Sequence, residues 1–128
     1  MPIKIFLSVA IAGALGSSLR YLVNFAFLRG NTSALPYATL TVNIVGCFFA
    51  GLLYSFFETK LSSYTYYAPI LLVGFLGAFT TFSTFALESA NFIQGNALPK
   101  ALLYIALQNL AGVGAVFAGF GVVRLLPH

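Results

Sequence analysis

Charge is missing from three long stretches of this chain. Residues 30–57, 61–87 and 101–123 hold no Asp, Glu, Lys or Arg, which leaves runs of 28, 27 and 23 residues. A bilayer core about 30 Å thick is crossed by roughly 20 apolar helical residues. Only helices and closed barrels satisfy their backbone polar groups inside it. Three transmembrane helices follow from these runs. A fourth is predicted from the stretch Ile5–Phe27, apolar apart from Arg20. The chain therefore reads as an all-α membrane protein, a single four-helix transmembrane domain over residues 1–128 with no room for a soluble domain.

Composition agrees and excludes other classes. Of 128 residues, 6% are charged and 60% hydrophobic, whereas a soluble domain carries about 25% charged residues. Lys4 ahead of an apolar run resembles a signal peptide, but Arg20 interrupts that run and the rest of the chain is equally apolar, so no cleavage is expected. Cys47 is the only cysteine, so no internal disulfide can form. The basic residues sit mostly near predicted membrane ends, where they anchor to lipid headgroups. No basic patch for nucleic acid is present. An enzyme is not expected: the one His is terminal, Cys47 lies in mid-span among apolar neighbours, and no nucleophile–base pair is visible.

Spans are expected at Ile3–Phe27, Tyr37–Phe57, Ala68–Phe92 and Lys100–Leu126. The connections are polar and turn-rich at 29–36, tyrosine-rich at 58–67 in the manner of an interfacial aromatic belt, and short at 94–99. Four spans put both termini on one side. That side holds Lys4, Lys60 and Arg124, offset by Glu58; the other holds Arg29 and Lys100, with Arg20 nearby. The positive-inside rule needs an asymmetry to fix orientation, and here it is almost absent. Insertion in both orientations, with antiparallel pairing about an axis in the membrane plane, is one reading. A weak bias that the insertion machinery still resolves is the other.

Small residues recur at spacing four: Ala10, Ala14 and Ser18 in span 1, Ala111, Ala115 and Gly119 in span 4, and Gly46 and Ala50 in span 2. These read as packing seams. Polar residues in a span cost free energy unless they find a partner or water. Thr39, Asn43, Gly46 and Ala50 share one face of span 2. Tyr104, Gln108, Ala111 and Ala115 repeat that spacing in span 4, with Asn109 beside them. Interhelical hydrogen bonding and a shared polar route are both open.

The segment Gly74–Phe85 is the least ordinary, with two glycines, four hydroxyl residues and four phenylalanines, ending near Glu88. As a helix it places Gly77, Thr81, Thr84 and Glu88 on one stripe. Two readings stand: a continuous helix whose hydroxyls bond back to its own carbonyls, or a break that frees carbonyls for a cation and N–H and O–H groups for an anion. Phenylalanine ring edges are electropositive, so Phe82 and Phe85, three residues apart, could meet an anion, although core packing is the ordinary use of such a stripe.

The stretch GFLGAFTTFSTFALE, residues 74–88, resembles the signature of the Fluc (CrcB-type) fluoride channels. LTVNIVG at 40–46 and GALGSSLRY at 13–21 extend the resemblance over the whole chain. The resemblance implies a broken third helix, an antiparallel dual-topology homodimer in the bacterial plasma membrane, two fluoride pathways along its interface, and a role in fluoride resistance. It implies a structural Na⁺ held by the backbone carbonyls of Gly77 and Thr80 from each subunit. By the same resemblance Phe82 and Phe85 present ring edges to the ion, and Asn43 donates to it. Ser83 and Thr84 form a polar track near Glu88, with Thr39 and Tyr104 as lesser pathway positions and Arg20 near a vestibule. Fluoride accepts hydrogen bonds and donates none, so Glu88 is expected either to orient hydroxyls or to be protonated. Gln108 beside Asn109 departs from the family, where small or hydroxyl residues are commoner.

Two rivals remain. A small multidrug or guanidinium exporter is also a four-span dual-topology dimer, but it needs a span-1 carboxylate, and this span 1 has Arg20 and no acid. A non-transporting assembly subunit would explain the packing seams and leave TTFSTF idle.

Overall fold

The computed structural model describes residues 3–30, 35–60 and 66–126. Among them are four helical segments long and apolar enough to cross a membrane: Ile3–Leu28, Tyr37–Thr59, Pro69–Gln94 and Leu98–Arg124. The first is α1 (Ile3–Gly30) and the second α2 (Tyr37–Lys60). The third is composite: a π-helix (Pro69–Leu76), one α turn, α3 (Gly77–Phe79), and then α4 (Phe82–Gln94). The last is α5 (Leu98–Arg124).

Several ends differ from the hydropathy boundaries. α1 continues to Gly30, and α2 runs through Glu58 and Thr59 to Lys60. α5 starts at Leu98, with Pro99 in its first turn, where a missing N–H costs nothing. Hydropathy marks where lipid ends, whereas backbone hydrogen bonding carries a helix on into the headgroup layer. The connections expected at 29–36 and 58–67 fall largely on residues 31–34 and 61–65, which lie outside the described residues.

The turn between α4 and α5 is closed by the backbone alone. Asn96 adopts a left-handed conformation (φ 57°), which asparagine tolerates better than most residues. The Ala97 N–H then donates to the Phe92 carbonyl at 2.8 Å and the Asn96 N–H to the Ile93 carbonyl at 3.1 Å. This is the Schellman pattern that satisfies the last carbonyls of a helix.

α2 packs chiefly on α5, α1 packs on the π-helix and α3, and α4 leans on α5. The α2–α5 crossing rests on Gly51 and Gly119. A Cβ at Gly119 would land on the Phe48 carbonyl, and one at Gly51 on the Val116 carbonyl. Two backbones approach this closely only without side chains between them. In α1, Ala10, Ala14 and Ser18 are exposed, and Ala12 and Gly16 are buried instead. Spacing alone shows that a close approach is possible, not which face makes it.

Inside and outside are inverted relative to a soluble domain. Large apolar side chains such as Ile11, Leu15, Leu110 and Phe117 point outward. The largest fully buried side chains are Tyr104, Val42 and Thr39. Polar groups such as Thr39, Thr81 and Gln108 thus share the interior with apolar ones such as Leu76 and Phe79.

Replacing Gly119 with valine should lower the thermal unfolding midpoint of the protein in detergent. Overpacking a close contact costs about 1–3 kcal/mol. An unchanged midpoint would show that α2 and α5 can separate at no cost.

Candidate functional site

The third membrane segment changes conformation after Phe79. Thr80 (φ −81°, ψ 161°) and Thr81 (φ −150°, ψ 113°) are extended, and helix resumes at Phe82. In low dielectric each backbone group left unpaired there is costly. Asn43 of α2 answers for Thr81. The Thr81 N–H donates to Asn43 Oδ1 at 2.8 Å, and Asn43 Nδ2 donates to the Thr81 carbonyl at 3.1 Å. A side-chain amide thus pairs with an extended residue as a neighbouring strand would.

Thr81 in turn caps α4. Its Oγ1 accepts the Thr84 N–H at 3.2 Å while its hydroxyl donates to Thr84 Oγ1 at 2.9 Å. Ser83 Oγ lies 3.4 Å from the same hydroxyl. In an α-helix the carbonyl of residue i pairs with the N–H of residue i+4. The partners that Gly77 and Thr80 would have are thus the N–H groups of Thr81 and Thr84, both committed elsewhere. Neither N–H therefore pairs with those carbonyls; Gly77 is exposed and Thr80 half-buried.

A second set of hydrogen bonds runs from Asn43 through α5 to α4. Asn43 Nδ2 also donates to Gln108 Oε1 at 3.1 Å, Gln108 Nε2 donates to the Tyr104 hydroxyl at 2.9 Å, and that hydroxyl donates to Glu88 Oε2 at 2.6 Å. The Thr39 hydroxyl donates to Glu88 Oε1 at 2.8 Å. Every donor in this relay points toward the carboxylate, which occupies both its oxygens with hydroxyls. Among the described residues no buried side-chain N or O lacks a partner. A fully satisfied network of this kind is rigid, since each member is costly to unpair in low dielectric.

Aromatic rings border the network. Phe85 is buried and meets Phe82 edge-on, with centroids 5.6 Å apart at 65°, and it tilts against Tyr104 at 5.5 Å. Phe82 itself is 78% exposed. It borders an open groove of about 210 Å³ lined also by Asn43, Cys47, Thr80, Thr81, Gln108 and Asn109. Toward the α1–α2 end a cavity of about 430 Å³ opens beside Asn24, Tyr37, Thr39, Thr84 and Glu88.

The residues singled out from sequence are distributed as follows. Thr39, Asn43, Glu88 and Tyr104 are joined by hydrogen bonds, directly or through Gln108, and Ser83 and Thr84 gather around Thr81. Phe82 and Phe85 form one edge-on pair. Gly77 lies in the turn before the extended residues, and Thr80 is the first of them. Arg20 does not line the larger cavity; its carbonyl accepts from Asn24, which does. Asn24 was not singled out; Thr81 and Gln108 were noted on polar faces, but not Thr81 as the cap held by Asn43 nor Gln108 as the bridge. The i, i+4 spacing of Tyr104 and Gln108, and of Arg20 and Asn24, was the available signal. Asn109 turns its amide back to the Ile105 carbonyl at 2.7 Å and stays outside the relay.

Four apolar helices around a satisfied polar network, open at a groove and a cavity, define a polytopic membrane protein with an intramembrane polar site. The family described as CrcB-like protein, Camphor Resistance (CrcB), matches residues 7–120, and the chain belongs to it. Its relatives carry the name fluoride-specific ion channel FluC. One from Desulforapulum autotrophicum is 40% identical over 94% of this chain and 97% of its own length. One from Caulobacter vibrioides is 45% identical over 92% and 94%. One from Idiomarina loihiensis is 45% identical over 88% and 87%.

Asn43→Leu should destabilise the protein by about 1–3 kcal/mol, the cost of leaving the Thr81 N–H unpaired. Faster hydrogen exchange at the Thr81 amide, with little change at α1, is the expected signature. Undiminished protection of that amide would mean that another group holds it.

Proposed function

We propose that this chain is a passive fluoride channel of the bacterial plasma membrane. It works as an antiparallel pair of identical chains and lowers cytoplasmic fluoride. The relatives' shared name supports the ion. Hydrogen fluoride crosses a membrane as a neutral acid and dissociates inside, so an F⁻ path driven by an inside-negative potential removes what accumulates.

The observation that carries this reading is the open groove where hydrogen-bond donors meet the exposed ring of Phe82. Fluoride accepts hydrogen bonds and cannot donate them. The Asn43 amide and the Thr81 hydroxyl line that groove as donors, with the Ser83 and Thr84 hydroxyls gathered behind Thr81, and aromatic edges add positive potential without a formal charge. Glu88 is compatible with an anion path because both its oxygens face the hydroxyls of Thr39 and Tyr104. A single chain leaves Phe82 78% exposed, so a second chain is needed to enclose the groove. The even distribution of basic residues across the two sides supports antiparallel pairing.

The carbonyls of Gly77 and Thr80 suit a hard cation, which takes neutral oxygen ligands. One chain offers two such oxygens, and a two-fold pair offers four. Among the described residues no group of three or more His, Cys, Asp or Glu offers a rival metal site. Na⁺ bound there would supply fixed positive charge between the two chains.

The test is fluoride efflux from liposomes containing the purified protein, with chloride as the control ion. Wild type should release fluoride and retain chloride. Phe82→Ile should cut the fluoride rate about tenfold or more, equivalent to about 1.4 kcal/mol of barrier. Equal fluoride and chloride rates would overturn the reading. For the cation, sodium-free purification should lower the unfolding midpoint and added Na⁺ should restore it, with K⁺ ineffective.

A further inference from the structure

Gln108 stands between two groups that the fluoride path uses. Its Nε2 donates to the Tyr104 hydroxyl at 2.9 Å, and its Oε1 accepts from Asn43 Nδ2 at 3.1 Å. It is 8% exposed and shares the lining of the Phe82 groove with Asn43. An asparagine amide has two N–H bonds. One is held by the Thr81 carbonyl at 3.1 Å. Releasing it would break half of the two-bond clasp on the extended residue on which the third segment depends. The other is the N–H that an ion in the groove can claim, and Gln108 already occupies it.

We propose that Gln108 is a positioning residue that sets anion affinity by competing with the anion for the second N–H of Asn43. This rests on the fluoride-channel reading above. The competition is uneven in a useful way. Gln108 Oε1 is a neutral acceptor, whereas a halide is charged and makes the stronger, charge-assisted hydrogen bond. An arriving ion displaces Oε1, while Nε2 stays on Tyr104 and keeps the side chain in place. The ion therefore gains the Asn43 donor less the one neutral bond it breaks, so it is held more loosely and leaves sooner. Only a side chain of this length reaches both partners at once. A serine at 108 would place its oxygen too near the α5 backbone to bridge Asn43 and Tyr104.

The test uses the full chain in liposomes, with efflux followed at a fluoride electrode over a range of internal fluoride concentrations. Wild type, Gln108→Met (similar length, no acceptor) and Gln108→Ser (short) are compared. Both variants should lower the half-saturating fluoride concentration about two- to tenfold, the range of one neutral hydrogen bond. Their maximal rates should fall as well, because a more tightly held ion leaves more slowly. A merely structural role would reduce the maximal rate and leave half-saturation where it was, and that result overturns the proposal. A raised half-saturation also overturns it, since Gln108 would then be donating to the ion itself. Where a variant conducts too little to titrate, the fluoride-dependent rise in its unfolding midpoint reads the same affinity. Wild type that fails to conduct fluoride would instead defeat the channel reading.

Discussion

The pairing of one amide with one extended residue holds the site together. Thr81 sits at membrane depth as the N-cap of α4, with its N–H outside the helical ladder. Asn43 supplies an acceptor to that N–H and a donor to the Thr81 carbonyl from a neighbouring helix. Without that partner, an unsatisfied N–H in low dielectric would favour an uninterrupted helix. Other features accompany this pairing: the Thr81 cap on α4, the N–H groups of Thr81 and Thr84 turned away from the Gly77 and Thr80 carbonyls, and Phe82 on an open face.

The same amide couples two sites that are distant in sequence. Asn43 belongs at once to the Thr81 backbone and to the relay through Gln108 and Tyr104 to Glu88. A half-buried carboxylate beside a proposed anion path looks contradictory until its partners are counted. Two hydroxyls donate to it, so its charge is directed into the protein and its donors are held in fixed orientations. The polar interior is thus a positioning device, and the apolar exterior is what lipid requires of it.

Particular residues show how far sequence carried this reading. The three charge-free runs located three spans because hydrocarbon disfavours unpaired charge, and the apolar stretch around Arg20 supplied the fourth. The TTFSTF stretch and Asn43 marked the site because a resemblance accompanied them. Spacing alone left the helix and the break equally open, since it cannot report which N–H meets which acceptor. The Ala10–Ala14–Ser18 seam in α1 lies on the exposed side, and Ala12 and Gly16 make the contact instead. Small residues permit an approach from any side they line. Gln108 could be seen to depart from its relatives, yet nothing in its neighbours along the chain indicated that it reaches Asn43.

The amino-acid sequence by itself determined that this chain lives in a bilayer and that its spans carry polar residues requiring partners. Both conclusions follow from local hydropathy, which depends only on residue order. Tertiary structure decided which partners those are. It chose α2 to cap the third segment, α5 to bridge Asn43 to Glu88, and the face on which Phe82 emerges. Hydrogen bonds between helices depend on relative rotation and depth, and those are set by close contacts such as Gly51 and Gly119 at the α2–α5 crossing.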